Sequence, residues 1–176
     1  MTRAFVLRSS VWSSGFVRGF VRGIFVLLLW SPVRVQAQSY VGTGRAVLDG
    51  DTVELLRETG QIVRIELYGI DAPELGQPCG IEAARALRRA VFQRRVRAVA
   101  EGSDEDGRPL FVLRVGDRVV NEQLIRSGLA WWDRRRASHD DRLGRLEQRA
   151  RRAERGLWAQ SDPVPPWTWR NKKGES

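Results

Sequence analysis

The fold is decided by residues 44–67, which read GRAVLDGDTVELLRETGQIVRIEL. Two β-like runs, Gly44–Leu48 and Val53–Leu56, flank the turn signal Asp-Gly-Asp. A second turn leads into Ile62–Leu67, where charged and apolar side chains alternate and therefore face opposite sides of a strand. This stretch predicts three short strands joined by tight turns.

The residues that follow predict two more strands and three helices. Apolar runs flank an acidic turn and indicate strands over Val96–Ala100 and Leu110–Val115. Helical spacing of apolar residues indicates helices over Ile81–Arg94, Val119–Ser127 and Arg142–Arg155. We therefore expect an α+β, mainly β fold: a five-stranded barrel of the OB type with three helices.

Charge divides the chain into an N-terminal segment and a nearly balanced remainder. The 176 residues have a formal net charge of +9, but residues 1–37 hold five Arg and no acid. The same segment contains the apolar run Gly23–Trp30, a Ser-Pro break, and smaller residues (Val35 and Ala37) at the minus-three and minus-one positions of a cleavage site after Ala37. This pattern predicts a secretory signal peptide over residues 1–37 and a secreted or periplasmic protein. The apolar run is about half the roughly 20 residues of a membrane span, so we expect no stable membrane insertion after cleavage.

An uncleaved N-terminal anchor is the alternative to a cleaved signal peptide, because the basic part of the segment is long. Beyond it we expect a domain over residues 38–162 and a tail over residues 163–176 that contains Pro and Trp. We expect a monomer.

Cysteine and histidine counts exclude several classes of chemistry. The chain has one Cys and one His, so a disulfide framework, a Cys-rich zinc site and a poly-histidine metal site are excluded within one chain. We expect Cys79 to be a free structural thiol and His139 to lie on the surface. Metal chemistry would therefore depend on carboxylates, which favours a hard cation.

Two acidic turns are the candidates for such a site. The first is Asp49-Gly-Asp51, and the second is Asp71-Ala72-Pro-Glu74. Asp-Gly and Asp-Ala-Pro are also ordinary turn sequences, so the pattern alone is compatible with a purely structural role. If the turns converge, Asp51, Asp71 and the carbonyl of Ala72 could bind Ca²⁺, with water completing its oxygen shell.

An ordered set of motifs over roughly residues 41–170 resembles the staphylococcal nuclease-like (thermonuclease) family. The set comprises Asp49-Gly-Asp-Thr-Val53, Leu67-Tyr-Gly-Ile-Asp-Ala-Pro-Glu74, Gly107-Arg108, Val120-Asn121, Gly128-Leu-Ala130, Gly156-Leu-Trp158 and Pro166-Trp167. The resemblance implies an OB-type barrel with three helices and Ca²⁺-dependent hydrolysis of DNA and RNA phosphodiester bonds.

The resemblance also implies a role for individual residues. Asp51 and Asp71 would bind Ca²⁺ with the Ala72 carbonyl, and Asp49 would hold a water of the ion's shell. Glu74 would be the general base for the attacking water, and Arg108 would bind the scissile phosphate. These roles suit the reaction, because cations stabilise the negative charge of a phosphoryl transition state while a carboxylate positions the nucleophile.

One position departs from the family pattern. A second phosphate-binding arginine is usual five residues before the first Asp of the Asp-Ala-Pro-Glu element, and this chain has Glu66 there. A carboxylate about 6 Å from a phosphate charge repels it by about 3 kcal/mol at an effective dielectric of 20. Arg64 lies on the same strand face, about 6.5–7 Å away along the strand.

Three consequences of Glu66 are open at this point: Arg64 replaces the missing arginine, activity is weakened, or Glu66 recruits metal in another geometry. Asp106 stands where family members commonly carry an aromatic residue. A non-catalytic OB-fold module that binds nucleic acid or protein is therefore the alternative to an endonuclease acting on DNA and RNA.

Two further features have both a binding and a structural interpretation. Trp131-Trp132 could stack on bases, although packing after the second helix is the simpler role. The run Arg134-Arg135-Arg136 could contact phosphates or be an ordinary solvated charge run.

Overall fold

Most of the strands join one antiparallel sheet in the computed structural model, which describes residues 38–174. Its strands are β1 (Ser39–Val47), β2 (Thr52–Arg57), β3 (Ile62–Glu66), β5 (Arg95–Ser103), β6 (Pro109–Val115) and β7 (Arg118–Val119). Across the sheet they lie in the order β3-β2-β1-β5-β6-β7. The two remaining strands, β4 (Ile70–Asp71) and β8 (Trp131–Trp132), pair with each other. The predicted signal peptide and its cleavage site lie outside the described residues.

The sheet closes on itself where the end of β3 meets β6. Leu67 forms an isolated parallel bridge with Phe111, and the Tyr68 N–H donates to the Phe111 carbonyl at 2.8 Å. Irregular register within β1 and again within β5 accompanies this closure, as expected where strands bend strongly. The result is the OB-type barrel that the strand pattern predicts.

Buried and more exposed side chains alternate along the strands, and the buried ones fill the barrel interior. Val53 and Leu55 on β2 are completely buried, as is Ile65 on β3, while the residues between them are only partly covered. Burying an aliphatic side chain of this size contributes about 1.5–3 kcal/mol, so this alternation fixes which face of each strand points inward.

Four α-helices and one 3₁₀-helix surround the barrel. They are α1 (Gly80–Val91), α2 (Val120–Arg126), α3 (Asp141–Arg152), the 3₁₀-helix Gly156–Ala159 and α4 (Pro166–Gly174). The apolar positions of α1 at 83, 87 and 91 are completely buried, as their helical spacing predicts. Asp140 caps α3 by accepting from the N–H groups of Arg142 and Leu143. No helix among residues 38–174 is long and apolar enough to cross a membrane.

The structure corrects the predicted number of elements. Within residues 38–174 there are eight strands and four α-helices, against the five and three expected. The additional strands β4, β7 and β8 have two residues each, too few to show a periodicity. The first helix ends at Val91 rather than Arg94, because Phe92 is extended and Gln93 is left-handed with φ 55°.

The fourth helix lies in the segment predicted as a tail. Trp167 on α4 packs edge-on against Trp131, with ring centroids 5.7 Å apart, and Trp131 packs in the same way against Trp158 at 4.4 Å. This aromatic cluster attaches α4 to the domain beside the end of β4, which places the helix near the acidic turns.

Candidate active site

The first acidic turn connects β1 to β2 and is tied to the chain on either side of β4. Asp51 donates its N–H to Asp49 Oδ1 at 3.1 Å, which closes the turn. Its carbonyl accepts from the Leu67 N–H at 3.0 Å, and its Oδ2 accepts from the Ala72 N–H at 2.7 Å. Asp51 therefore holds the two acidic turns together.

Gly50 allows this close approach. A Cβ atom at this position would lie 2.5 Å from the Ala72 Cβ and 2.8 Å from the Ala83 Cβ. Both neighbouring atoms are fixed by the backbone, so a side chain at position 50 would push the second turn and α1 away. The glycine in Asp-Gly-Asp thus serves packing as well as turn formation.

The second acidic turn begins on β4 and ends before α1. Asp71 pairs with Trp131 in the β4–β8 ladder and is buried, while Ala72 and Pro73 lead out to the half-buried Glu74. The Glu74 N–H donates to Gln77 Oε1 at 3.1 Å. The pairing fixes the Asp71 backbone, and the loop after it brings Glu74 to the edge of the same cleft.

A cleft of about 220 Å³ contains nearly all the predicted site residues. Its charged lining residues are Asp49, Asp51, Glu66, Asp71, Glu74, Arg64, Arg136 and Arg170. Ala72 lines it as well, so all four predicted metal-site residues meet here. Five carboxylates and three guanidinium groups leave a formal excess of two negative charges, which one divalent cation would neutralise.

Burial and mutual repulsion raise the pKa values of two of these carboxyls. The pKa of Asp51 lies well above its usual value, because of burial first and then the charges of Asp49 and Asp71. Burial also raises the pKa of Asp71, although the Arg170 guanidinium opposes this rise. Crowded carboxylates of this kind favour a bound cation, which stabilises their charged forms.

The donor set fits a hard divalent cation that keeps part of its water shell. Within residues 38–174, no group of three or more acidic, His or Cys side chains is arranged to hold a metal ion. Two carboxylates, Asp51 and Asp71, nevertheless line one cleft with Ala72. Carboxylate and carbonyl oxygens are the ligands that Ca²⁺ prefers, and water commonly supplies the rest.

Arg136 contacts the carboxylate that departs from the family pattern. Its Nη1 donates to Glu66 Oε1 at 2.6 Å, and its Nε lies 3.4 Å from Asp133 Oδ2. Both Glu66 and Arg136 line the cleft. A guanidinium group therefore lies beside the position where the family pattern has an arginine.

Arg170 from α4 binds two of the predicted functional carboxylates. Its Nη2 donates to Asp71 Oδ2 at 2.7 Å, and its Nη1 donates to Asp71 Oδ1 at 3.1 Å and Glu74 Oε1 at 2.7 Å. These contacts make the C-terminal helix part of the cleft.

The two predicted phosphate-binding arginines have different environments. Arg64 is exposed on β3 and lines the cleft. Arg108 lies outside the cleft lining and is 68% exposed, with its Nε 2.6 Å from Asp104 Oδ2 and its Nη2 3.0 Å from Asp106 Oδ2. Its pKa is raised by the hydrogen bond to Asp104, and the more distant charge of Glu66 acts in the same direction.

The sequence pattern does not single out the cleft residue Arg170, and it indicates Arg136 only as one of three consecutive arginines that could contact phosphates. Arg136 belongs to a run of three arginines, and its neighbours behave differently: Arg134 lies over the Trp132 ring at 4.7 Å and Arg135 over Trp167 at 5.2 Å. Nothing in the run distinguishes its third member. Arg170 follows Trp167 by three residues, a helical spacing that could have indicated a short helix.

The remaining singled-out residues have structural surroundings. Trp131 is buried in the aromatic cluster, and Trp132 Nε1 donates to the Ala137 carbonyl at 3.0 Å, so packing is the role that their contacts support. His139 is exposed, as expected. Cys79 is a free thiol that accepts a hydrogen bond from Gln160 at 3.3 Å.

Comparison with known proteins adds independent information. The family model described as staphylococcal nuclease homologue matches residues 64–160. An Escherichia coli O157:H7 protein named "Uncharacterized endonuclease" is 38% identical over 128 residues, which cover 72% of this chain and 82% of the relative. Protein ParB of Escherichia coli is 35% identical over 157 residues, covering 84% of this chain and 86% of the relative.

A plant relative matches this chain over part of a longer protein. The probable staphylococcal-like nuclease CAN2 of Oryza sativa subsp. japonica is 37% identical over 109 residues, which cover 61% of this chain and 29% of the relative. The segment matched by the family model, residues 64–160, includes the second acidic turn and the barrel strands that follow it. With its OB-type barrel and converging acidic turns, this chain belongs to the staphylococcal nuclease homologue family.

Proposed function

We propose that this protein is an exported Ca²⁺-dependent endonuclease that hydrolyses phosphodiester bonds of DNA and RNA. The observation that carries the proposal is the cleft in which Asp49, Asp51, Asp71 and Glu74 meet with an excess negative charge of two. Family membership supports the same activity, since relatives are named as endonucleases and staphylococcal-like nucleases.

Each predicted metal-site residue has its own role in this proposal. Asp51, Asp71 and the Ala72 carbonyl would bind Ca²⁺, and Asp49 would hold a water of its shell. When bound, the ion supplies positive charge that stabilises the transition state of phosphoryl transfer. The hydrogen bond from Ala72 to Asp51 keeps the two acidic turns at a fixed separation.

Glu74 would accept the proton of the attacking water. The new bond forms between the water oxygen and phosphorus, the bond to the leaving oxygen breaks, and solvent protonates that oxygen. Glu74 suits this role because its side chain is 36% exposed and reaches both the cleft and water. Its contact with Arg170 must open before the carboxylate can receive the proton.

A plasmid-nicking assay tests the proposed activity. The purified protein should nick supercoiled DNA with Ca²⁺ and stop in chelator, and Glu74→Gln should lower the rate by at least 100-fold while the fold is retained. Glu82→Gln is the matched control, because Glu82 is exposed on α1 outside the cleft. Equal rates for wild type and Glu74→Gln would overturn the role of Glu74.

A non-catalytic nucleic-acid-binding module is the second candidate, and Glu66 in the cleft favours it. Such a module would bind DNA in chelator, with affinity that falls steeply with salt, and would not cleave in Ca²⁺. Export is proposed from residues 1–37 and is tested separately: mass spectrometry of the secreted protein should find an N-terminus at Gln38.

A further inference from the structure

We propose that Arg136 binds the scissile phosphate in place of the arginine missing at position 66, and that Glu66 positions it. This inference rests on the proposed nuclease function. It concerns a residue at the start of the loop before α3, remote in sequence from β3, whose place in the cleft depends on the tertiary structure.

The Glu66 carboxylate does not face the cleft as an isolated negative charge. Its Oε1 accepts from Arg136 Nη1 at 2.6 Å, and both side chains line the cleft. The pair is formally neutral. The repulsion expected between Glu66 and a phosphate is therefore offset by the guanidinium of a residue 70 positions further along the chain.

The Arg136 guanidinium is held in one orientation. Its Nε lies 3.4 Å from Asp133 Oδ2, and Asp133 is itself buried, with a side chain only 1% exposed. The Asp133 N–H donates to the Gly69 carbonyl at 3.1 Å, which fixes the loop to the turn before β4. Two carboxylates on different elements thus orient Arg136, whose side chain is 23% exposed.

An oriented guanidinium retains donors for a phosphate. Arginine carries five N–H donors in a planar fork, and the contacts to Glu66 and Asp133 involve only Nη1 and Nε. Preorganised donors are worth most in the transition state, because they need little rearrangement when charge develops. The contact between Glu66 and Arg136 therefore has two effects. It orients the Arg136 guanidinium for phosphate binding, and it neutralises the charge of the Glu66 carboxylate.

Other arginines near the site are less suited to this position. Arg64 is exposed and forms no ion pair with another side chain of residues 38–174, so no carboxylate holds its guanidinium in one orientation. Arg170 is engaged by Asp71 and Glu74. Arg108 is held by Asp104 and Asp106 outside the cleft lining. Arg136, in contrast, contacts Glu66, the residue at the position where the family pattern has an arginine.

The kinetic test compares Arg136→Ala with Arg134→Ala, an exposed neighbour in the same loop that lies over Trp132. We expect Arg136→Ala to lower kcat by about 100- to 1000-fold, with a smaller change in KM, and Arg134→Ala to stay near wild type. Thermal unfolding checks that both variants are folded. If wild type cleaves and a folded Arg136→Ala cleaves equally well, the inference is overturned while the proposed function stands.

A doubly neutral variant separates phosphate binding from mere neutralisation of Glu66. If Arg136 only neutralises Glu66, adding Glu66→Gln to Arg136→Ala should restore kcat to near wild type, because no unpaired carboxylate is left. If Arg136 binds the phosphate, the double variant should stay as slow as Arg136→Ala, so full recovery of kcat would overturn the inference. Glu66→Gln should lower kcat less than Arg136→Ala, since it removes only the anchor.

Binding gives a readout that does not depend on turnover. In a Glu74→Gln background with Ca²⁺, Arg136→Ala should weaken binding of a fluorescein-labelled single-stranded DNA and reduce the slope of log K against log salt by about 0.7, the value for one phosphate contact. An unchanged slope would overturn the phosphate contact. Wild type that neither cleaves nor binds would overturn the proposed function together with this inference.

Discussion

At the residue scale, the cleft depends on carboxyls whose surroundings oppose their charge. Asp51 accepts the Ala72 N–H and is held beside Asp49 and Asp71, so the same side chain organises the site and experiences its repulsion. The pKa of Asp51 is raised by burial and by these two neighbours. A residue in this position is suited to exchange a proton for a cation.

Stability of the protein in chelator should therefore depend on pH through Asp51. Its pKa is higher in the folded state than in the unfolded chain, so above the ordinary value of 3.8 the folded state binds more protons. The contribution of Asp51 to the free energy of unfolding therefore falls as the pH rises, until the pH exceeds the folded-state pKa of Asp51. Urea unfolding from pH 4 to 8 should show that decline, and Asp51→Asn should remove part of it.

Ca²⁺ should reverse this pH effect in the wild-type protein. Cation binding requires the charged carboxylate, so Ca²⁺ affinity should rise with pH over the same interval. Calorimetric titrations at several pH values measure it. An affinity that is independent of pH, or an Asp51→Asn profile identical to that of wild type, would contradict the assignment of the shift to Asp51.

At the scale of elements, one buried amide connects α2 to the closure of the barrel. Asn121 Oδ1 accepts from the Leu113 N–H at 2.9 Å, and its Nδ2 donates to the carbonyls of Tyr68 at 2.9 Å and Phe111 at 3.0 Å. The three backbone groups belong to β6 and to the turn that precedes β4. The amide thereby positions the strand that carries Asp71.

Asn121→Ala should destabilise the fold by about 2–4 kcal/mol, because it leaves buried backbone groups without their hydrogen bonds and creates a small cavity. Gln123→Ala is the control, since Gln123 is exposed on the same helix. Chemical denaturation measures both. A loss below about 0.5 kcal/mol for Asn121→Ala would show that water or a rearranged backbone replaces the amide.

Gly50 provides a second test at this scale. Its replacement by Ala would bring a Cβ within 2.5 Å of the Ala72 Cβ. We expect Gly50→Ala to cost about 1–3 kcal/mol, as overpacking usually does, and to weaken Ca²⁺ binding by separating the two acidic turns. Denaturation and calorimetry measure the two effects. Unchanged stability and affinity would mean that the turns tolerate the displacement.

At the scale of the whole molecule, the C-terminal helix α4 contributes a side chain to the site. The aromatic cluster of Trp131, Trp158 and Trp167 docks α4, and Arg170 then reaches Asp71 and Glu74. The guanidinium and a bound cation would share the Asp71 carboxylate. Ca²⁺ binding is therefore expected to compete with the Arg170 contacts.

Arg170→Gln should consequently tighten Ca²⁺ binding by about fivefold, which corresponds to roughly 1 kcal/mol for a partly exposed ion pair. It should also lower stability in chelator, because Asp71 loses its principal counter-charge. Arg152→Gln is the control, an exposed position on α3. Calorimetric titration measures the Ca²⁺ affinity of both variants. If Arg170→Gln binds Ca²⁺ as tightly as wild type or more weakly, the Arg170 guanidinium does not compete with Ca²⁺.

Local patterns in the sequence determined the barrel strands, the three main helices and the acidic turns. The alternation over Ile62–Leu67 and the helical spacing in α1 are properties of neighbouring residues, and burial in the structure follows them. The ordered motifs around Asp51, Asp71 and Glu74 likewise identified the family and the residues that converge. Two-residue strands and the helix α4 were missed, because pairing and docking rather than periodicity stabilise them.

Only the tertiary structure decided which arginine side chains complete the site. Arg136 meets Glu66 across 70 positions of the chain, and Arg170 meets Asp71 across 99. Such contacts depend on where β8 pairs and where α4 packs, and no local pattern distinguishes Arg136 from Arg134 and Arg135. Sequence fixes a residue's neighbours along the chain through steric and hydrogen-bonding preferences, whereas partners so far apart are chosen by closure of the barrel and burial of the aromatic cluster.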